Sequence, residues 1–196
     1  MKFVFASNYL NHHQRPFCDE MYRVLGENFS FISNEEMDSE RKEMGWKNES
    51  VEYEVCAWKN QEEMNYAQKL INEADILMIG SAPDSLFIER LHNGKIVIRY
   101  AERFYKEKMT MRRWIHALIG TWIHHGRFQR YPIYMLCASA YTAVDCARFG
   151  NYKNRMYKWG YFPKTFHYNL DELFSNKDSR KILWIGRMLE WKHPDY

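Results

Sequence analysis

Short apolar runs of strand length recur along the chain, separated by segments with helical spacing. Most of the runs are continuous rather than alternating, which is typical of strands covered on both faces. They occupy residues 2–7, 29–33, 53–58, 75–82, 95–101 and 133–139. Because strand and helix alternate, the pattern predicts a three-layer α/β/α, Rossmann-like domain with a mainly parallel sheet.

Two of the intervening segments predict helices. Residues 60–74 place their apolar side chains on one helical stripe, namely Met64, Ala67, Leu70, Ile71 and Ala74. Residues 84–93 predict a second helix, with Asp84 as its N-cap and Gly94 in the left-handed turn that follows it. Residues 35–50 are mostly polar and predict a surface loop or short helix, with Met37, Met44 and Trp46 as its only anchors.

The loop after the first run is the first candidate site, because ligands of open parallel sheets bind at the carboxyl ends of the strands. It offers amide and imidazole groups from Asn8, Asn11, His12, His13 and Gln14. These groups can make several directional hydrogen bonds to sugar hydroxyls or phosphate, and capping of the next helix is the structural alternative. Adjacent histidines are expected to point in different directions. We therefore expect no bound metal, and neither a DxD nor an HExxH spacing occurs.

The loop after residues 95–101 is the second candidate site. It carries Tyr100, Glu102 and Arg103. Glu102 and Arg103 could pair with each other or contact a bound acceptor, and structural pairing is the favoured interpretation.

Residues 103–131 form a basic segment with interleaved aromatic side chains. The segment contains seven Arg or Lys residues against one Glu. Its large apolar side chains fall at helical spacing: Trp114, Ile115, Leu118, Ile119, Trp122 and Ile123. A long packed helix with basic ends is the favoured interpretation, and contact with an anionic membrane surface is the alternative.

Composition narrows the class of protein. Of the 196 residues, 46% are hydrophobic and 17% aromatic, which excludes a disordered chain. The net charge of +3 is too small to imply nucleic-acid binding. The four cysteines form no CxxC pair and predict buried, reduced thiols: Cys18, Cys56, Cys137 and Cys146. Without a signal-peptide pattern or a run near the ~20 apolar residues of a membrane span, we expect a protein of the reducing cytoplasm.

The chain changes character near its end and there resembles a known family. The run KILWIG at 181–186 is followed by Arg187 and Lys192. A strand ending in Gly-Arg, with a lysine about five residues later, resembles the start of the C-terminal domain of retaining glycosyltransferases of family 4. MYKWGYFPKT at 156–165 is similar to the last strand and linker of the N-terminal domain in bacterial members. SNYLNHHQRPF and IRYAERFYK are similar to strand-to-loop segments of that domain.

The resemblance implies a domain plan and an activity. The fold would be the N-terminal half of a GT-B enzyme. Residues 1–163 would form the acceptor-side domain, 164–180 the interdomain linker, and 181–196 the start of a truncated donor domain. The intact enzyme would transfer a sugar, with retention, from a nucleotide-sugar donor to a saccharide or lipid-linked acceptor. Neither a metal nor another cofactor would be needed.

The resemblance also assigns residues. Arg187 and Lys192 would hold the donor pyrophosphate at a strand-to-helix turn. The family's pair of glutamates would lie beyond Tyr196, so the fragment would be inactive alone. In much of the family a histidine follows the strand at 95–101, whereas Tyr100, Glu102 and Arg103 stand there in this chain; the role of that histidine therefore cannot be carried over.

Further expectations concern location and assembly. The enzyme would be peripheral at the inner face of the membrane if residues 103–131 contact lipid. Apolar surface left by a missing domain could drive dimerisation.

A second hypothesis is a non-catalytic flavodoxin-like or Rossmann-like module that binds a ligand or protein through the same loops. Such a module would need no donor domain. For the run at 181–186, the alternative to the start of a second domain is an edge strand that completes the first sheet. Neither GxGxxG after the first strand nor GxxxxGK[ST] occurs, so no motif supports a dinucleotide or P-loop site.

Overall fold

A parallel sheet of seven strands forms the centre of the protein, in the order β3-β2-β1-β4-β5-β6-β7. The computed structural model describes residues 1–46, 50–105, 110–178 and 180–181. The strands are β1 Phe3–Ser7, β2 Phe29–Ser33, β3 Glu54–Cys56, β4 Ile76–Ile79, β5 Val97–Ala101, β6 Ile133–Cys137 and β7 Met156–Lys158. All neighbouring pairs are parallel, so the predicted Rossmann-like α/β fold is confirmed.

Seven α-helices occur in the part of the chain that the structure describes. They are α1 Arg15–Leu25, α2 Ser39–Glu43, α3 Gln61–Glu73, α4 Ile88–His92, α5 Met111–His124, α6 Thr142–Arg148 and α7 Leu170–Ser175. The prediction of α3 is confirmed. It begins where the Asn60 side chain accepts a hydrogen bond from the Glu63 amide at 2.9 Å.

The helix predicted over residues 84–93 is wrong in its first half. A 3-10 turn, Asp84–Leu86, precedes α4, and Asp84 makes no side-chain capping bond. Its carboxylate is instead held by the side chains of Arg99 and His124. Gly94 does adopt the predicted left-handed conformation after α4, with φ of +69°.

Two apolar clusters cover the opposite faces of the sheet, because successive side chains of a strand point to opposite sides. Val4 and Ala6 of β1 pack in one cluster with Ala67 and Ile71 of α3. The other cluster joins strand phenylalanines to Cys18 of α1, and these are Phe3, Phe5, Phe29 and Phe31. Helices therefore lie on both faces, as the sequence predicts.

The order of the strands shows where along the sheet a ligand could bind. The chain passes from β1 to β2 on one side of β1, while β4 lies on the other side of β1. The order therefore reverses between β1 and β4, and their carboxyl ends border a crevice of the kind in which α/β proteins bind ligands.

Arg90 of α4 ties the end of α3 to the sheet. Its side chain is completely buried. The guanidinium donates hydrogen bonds to four backbone carbonyls, those of Ile71 (2.9 Å), Ala74 (2.6 Å), Asp75 (2.7 Å) and Ile96 (3.0 Å). Helices end with unpaired carbonyls, and a cation there is favoured by the helix dipole. Burial lowers the pKa of Arg90, yet an arginine stays charged at any physiological pH.

Gly80 follows β4 at the crevice, where the chain passes close to β1. A Cβ at this position would lie 2.7 Å from Ser7 Oγ and 3.2 Å from Ser7 Cβ. We expect Gly80→Ala to lower the free energy of unfolding by about 1–3 kcal/mol, because Ser7 is buried and cannot withdraw. Urea denaturation measures this. Gly160→Ala is the control, since a Cβ there meets nothing within 4 Å and the variant should match the parent.

The chain divides into two units, Met1–Lys164 and Thr165–Tyr196. The second contains α7, which the side chain of Asn169 caps by accepting from the Asp171 amide at 3.1 Å. Arg187 and Lys192, together with the predicted strand at 181–186 apart from its first residue, lie outside the described residues. The predicted ends of the acceptor-side domain at residue 163 and of the interdomain linker at residue 180 remain predictions.

The four cysteines are free. Cys18, Cys137 and Cys146 are buried and Cys56 is half-buried, so the predicted burial holds for three of them. Burial raises the pKa of Cys146 to about 12, which keeps it a thiol at neutral pH. Within the described ranges, none of the helices is long and apolar enough to cross a bilayer.

Candidate functional site

Ser7, the last residue of β1, holds the two sides of the crevice together. Its hydroxyl oxygen accepts hydrogen bonds from Gln14 Nε2 and from the Ser81 amide, each at 3.2 Å. The hydroxyl in turn donates to Asn8 Oδ1 at 3.2 Å. Gln14 is buried and its side chain makes no capping bond to α1. Asn8 and Gln14 therefore shape the loop after β1 from inside.

Asn11 orients the histidine pair. Its Oδ1 accepts a hydrogen bond from the His13 amide at 2.9 Å, which closes a tight turn over residues 11–13. His12 is exposed and His13 is half-buried. Their ring centroids are only 4.0 Å apart. The expectation that the two imidazoles point in different directions is wrong, because the turn folds both rings to the same side.

Aromatic side chains from distant segments complete this surface. The ring of Trp46 lies 4.4 Å from that of His12 and meets it edge-on. Tyr161, which follows β7, lies 5.0 Å from His13, and Tyr100 of β5 lies 6.1 Å from Tyr161. We call the set His12, His13, Trp46, Tyr100 and Tyr161 the aromatic rim.

Glu102 adds a carboxylate to the aromatic rim. The hydroxyl of Tyr161 donates a hydrogen bond to Glu102 Oε1. Burial raises the pKa of Tyr161, and the hydrogen bond to Glu102 raises it further, so the phenol remains a donor at neutral pH. Tyr100 is held beneath by an edge contact with Phe5, whose ring centroid lies 6.3 Å away.

His13 is a neutral imidazole at neutral pH. Burial and the neighbouring His12 lower the pKa of His13, and the nearby Glu102 opposes them only in part. A neutral imidazole presents one donor and one acceptor nitrogen. The aromatic rim with Glu102 thus combines flat apolar faces with donors and acceptors, without a fixed positive charge on His13.

Arg103 has a different environment from the other predicted residues. Its guanidinium lies over the ring of Tyr141, 4.6 Å from the centroid. The loop after β5 is pinned there by buried Asp145, which accepts from the amides of Phe104 (3.1 Å) and Tyr105 (3.4 Å). Glu102 and Arg103 therefore have separate partners, Tyr161 and Tyr141.

Sequence reasoning missed Trp46 and Tyr161 as site residues. Trp46 was expected only to anchor a polar segment, and Tyr161 only to lie in the last strand and linker. The available signal was weak: each is an aromatic residue that no strand or helical stripe accounts for. Which loop they approach depends on tertiary packing.

A second polar cluster lies at Asp84 and was also missed. The Asp84 carboxylate contacts Arg99 (3.2 Å), His124 Nδ1 (2.9 Å) and Arg127 (3.8 Å). Its side chain is only 10% exposed. The cluster joins the segment after β4 to β5 and to the end of α5, and every group in it has a partner.

Comparisons with known proteins found no match among family models, curated proteins or solved structures. Among the described residues, no group of three or more His, Cys, Asp or Glu side chains could hold a metal ion. The aromatic rim and Glu102 are the candidate site, because they bring aromatic and polar side chains together at the carboxyl edge of the sheet.

Proposed function

We propose that this chain is the acceptor-side domain of a glycosyltransferase. The intact enzyme would move a sugar from a nucleotide-sugar donor to a saccharide or lipid-linked acceptor, with retention, and this part of it would be inactive alone. The observation that carries the proposal is the aromatic rim beside Glu102 at the carboxyl edge of a Rossmann-like sheet.

The chemistry of the aromatic rim favours a saccharide. Binding sites for small molecules combine aromatic walls with a few placed polar groups. A sugar ring offers apolar C–H faces to aromatic side chains such as Trp46 and hydroxyls to a carboxylate such as Glu102. The neutral imidazole of His13 can both donate to and accept from hydroxyls.

The donor side of the proposal rests on the resemblance alone. Arg187 and Lys192 would hold the pyrophosphate, whose charge grows as the glycosidic bond breaks. Fixed cations at that position stabilise the transition state more than the ground state. No metal or other cofactor has a role in this scheme.

Calorimetric titration tests the proposal. A panel of neutral oligosaccharides, free nucleotides and nucleotide sugars is titrated into the full chain. We expect the measurable affinity to go to a saccharide, with at most weak binding of nucleotide sugars. Tight binding of a free nucleotide without any saccharide binding would overturn the proposal and favour a Rossmann-like nucleotide-binding module.

Trp46→Ala should weaken the binding of that saccharide by about tenfold, because losing one aromatic stacking face removes about 1.4 kcal/mol. The same titration measures the change. Tyr66→Ala is the matched control, since Tyr66 is an exposed aromatic residue on α3. Equal affinity of the Trp46 variant and the parent would remove the aromatic rim from the binding site.

A further inference from the structure

The outer face of α5 is apolar, and the described residues of its own unit, Met1–Lys164, leave it uncovered. Helix α5 packs inward through small side chains, with Ala117 and Thr121 buried. Its large apolar residues are exposed, namely Met111 (78%), Ile115 (54%), Leu118 (54%), Ile119 (55%) and Trp122 (64%). The favoured expectation of a packed apolar stripe is therefore wrong. Among the predicted stripe residues, Trp114 does pack, against Phe149, with ring centroids 5.5 Å apart.

These five exposed residues form one stripe, because they recur at spacings of three and four along the helix. We call the stripe the α5 face. Single exposed apolar residues are ordinary, but a contiguous patch of this kind marks an interaction site.

Arginines border the α5 face at both ends of the helix. Arg112 and Arg113 lie in its first turn, and Arg127 and Arg130 follow its end; all four are exposed. The sequence contains neither Asp nor Glu between residues 108 and 144. Asp145 beyond this stretch is buried. Among the described residues, the exposed charges that border the stripe are therefore mainly positive, since the Asp84 carboxylate near the end of α5 is only 10% exposed.

We infer that the α5 face binds an anionic lipid surface, lying in the plane of the interface. Apolar side chains with a tryptophan on one face, bordered by arginines, are the composition of interfacial helices. Arginine stems can lie along the apolar layer while their guanidinium groups reach lipid phosphates. A helix of 14 residues spans about 21 Å, too short to cross a bilayer of about 30 Å.

The charges argue against the alternative of a second copy of the chain. A two-fold interface through the α5 face would bring the bordering arginines of both copies close to one another. Like charges at close range oppose such pairing, most strongly at low salt. An anionic surface instead attracts these arginines, and each one that reaches it raises the affinity roughly fivefold.

Vesicle sedimentation of the full chain tests the inference. At low salt we expect it to pellet with vesicles of phosphatidylcholine mixed with phosphatidylglycerol and to stay in solution with phosphatidylcholine alone. Added salt should release it. Trp122→Glu should abolish pelleting, and Arg112→Gln combined with Arg113→Gln should weaken it by at least about tenfold. Val24→Glu on α1 is the control and should pellet like the parent, because Val24 is equally exposed, at 63%, on another helix.

Three results would overturn the inference. The first is that the parent does not pellet at low salt, and the second is that Trp122→Glu pellets like the parent. The third combines two observations: the parent fails to pellet, and light scattering without vesicles shows a dimer of the parent that Trp122→Glu disperses. Circular dichroism checks that each variant is folded. The inference is independent of the proposed transferase function, since Trp46→Ala should leave pelleting unchanged.

Discussion

Replacing Arg90 with methionine is expected to lower the free energy of unfolding by about 4 kcal/mol or more. The methionine can fill much of the space, but it cannot donate to the carbonyls of Ile71, Ala74, Asp75 and Ile96. Leaving a buried acceptor unsatisfied costs about 1 kcal/mol or more for each group. The end of α3 would also lose the cation that its dipole favours.

Urea denaturation followed by circular dichroism measures the change. Arg23→Met on α1 is the matched control. Arg23 is 69% exposed and pairs with Glu20 on the surface, so its loss should leave the free energy of unfolding close to that of the parent. Arg90→Lys should fall between the parent and Arg90→Met, because one ammonium cannot reach four carbonyls. A loss below about 1 kcal/mol in Arg90→Met would show that water replaces the guanidinium.

Acid should destabilise the protein through His125. This residue is buried, and its Nδ1 lies 2.8 Å from the hydroxyl of buried Tyr152. Burial, with the charges of Arg99 and His124, lowers the pKa of His125 from 6.5 to about 3. The unfolded chain therefore takes up a proton below pH 6.5 that the native state excludes. The stability that the native state keeps by holding His125 neutral is fully present above pH 6.5 and is lost progressively as the pH falls towards 3.

The expected loss from His125 is roughly 1.4 kcal/mol per pH unit, or about 3 kcal/mol near pH 4.5. Other groups titrate in the same range, so the test is a comparison of slopes. His125→Asn keeps an oxygen near the position of Nδ1 but cannot be protonated. Its free energy of unfolding should fall less steeply from pH 6.5 to 4.5 than that of the parent. His116→Asn on the exposed side of α5 should keep the parental slope, and equal slopes for His125→Asn and the parent would contradict the prediction.

Local sequence pattern predicted an element well where the residues of that element by themselves indicate its type and its start. The apolar run 29–33 coincides with β2, and α3 begins at the capping Asn60 and buries Ala67 and Ile71. Asp84 shows where local pattern is insufficient. Aspartate is a good N-cap, but here Arg99, His124 and Arg127 surround its carboxylate, and that arrangement exists only once β5 and the end of α5 are in place.

The candidate site was predictable in part. A parallel sheet with a polar loop after its first strand directs attention to His12 and His13, since strand ends collect at one edge. Trp46 and Tyr161 come from segments far apart in sequence, and only folding brings them to the histidines. The same packing gave Arg103 a separate partner in Tyr141.

The sequence by itself determined the order of strands and helices, and through it the parallel sheet and its functional edge, because periodicity of two or 3.6 is a local property of the chain. Tertiary structure alone decided which apolar stripe of α5 is covered. Its inner face carries Ala117 and Thr121, small enough for close approach, which leaves Leu118 and Trp122 outside. Helical spacing shows that side chains share a face, but only the neighbouring elements determine whether that face meets protein or solvent.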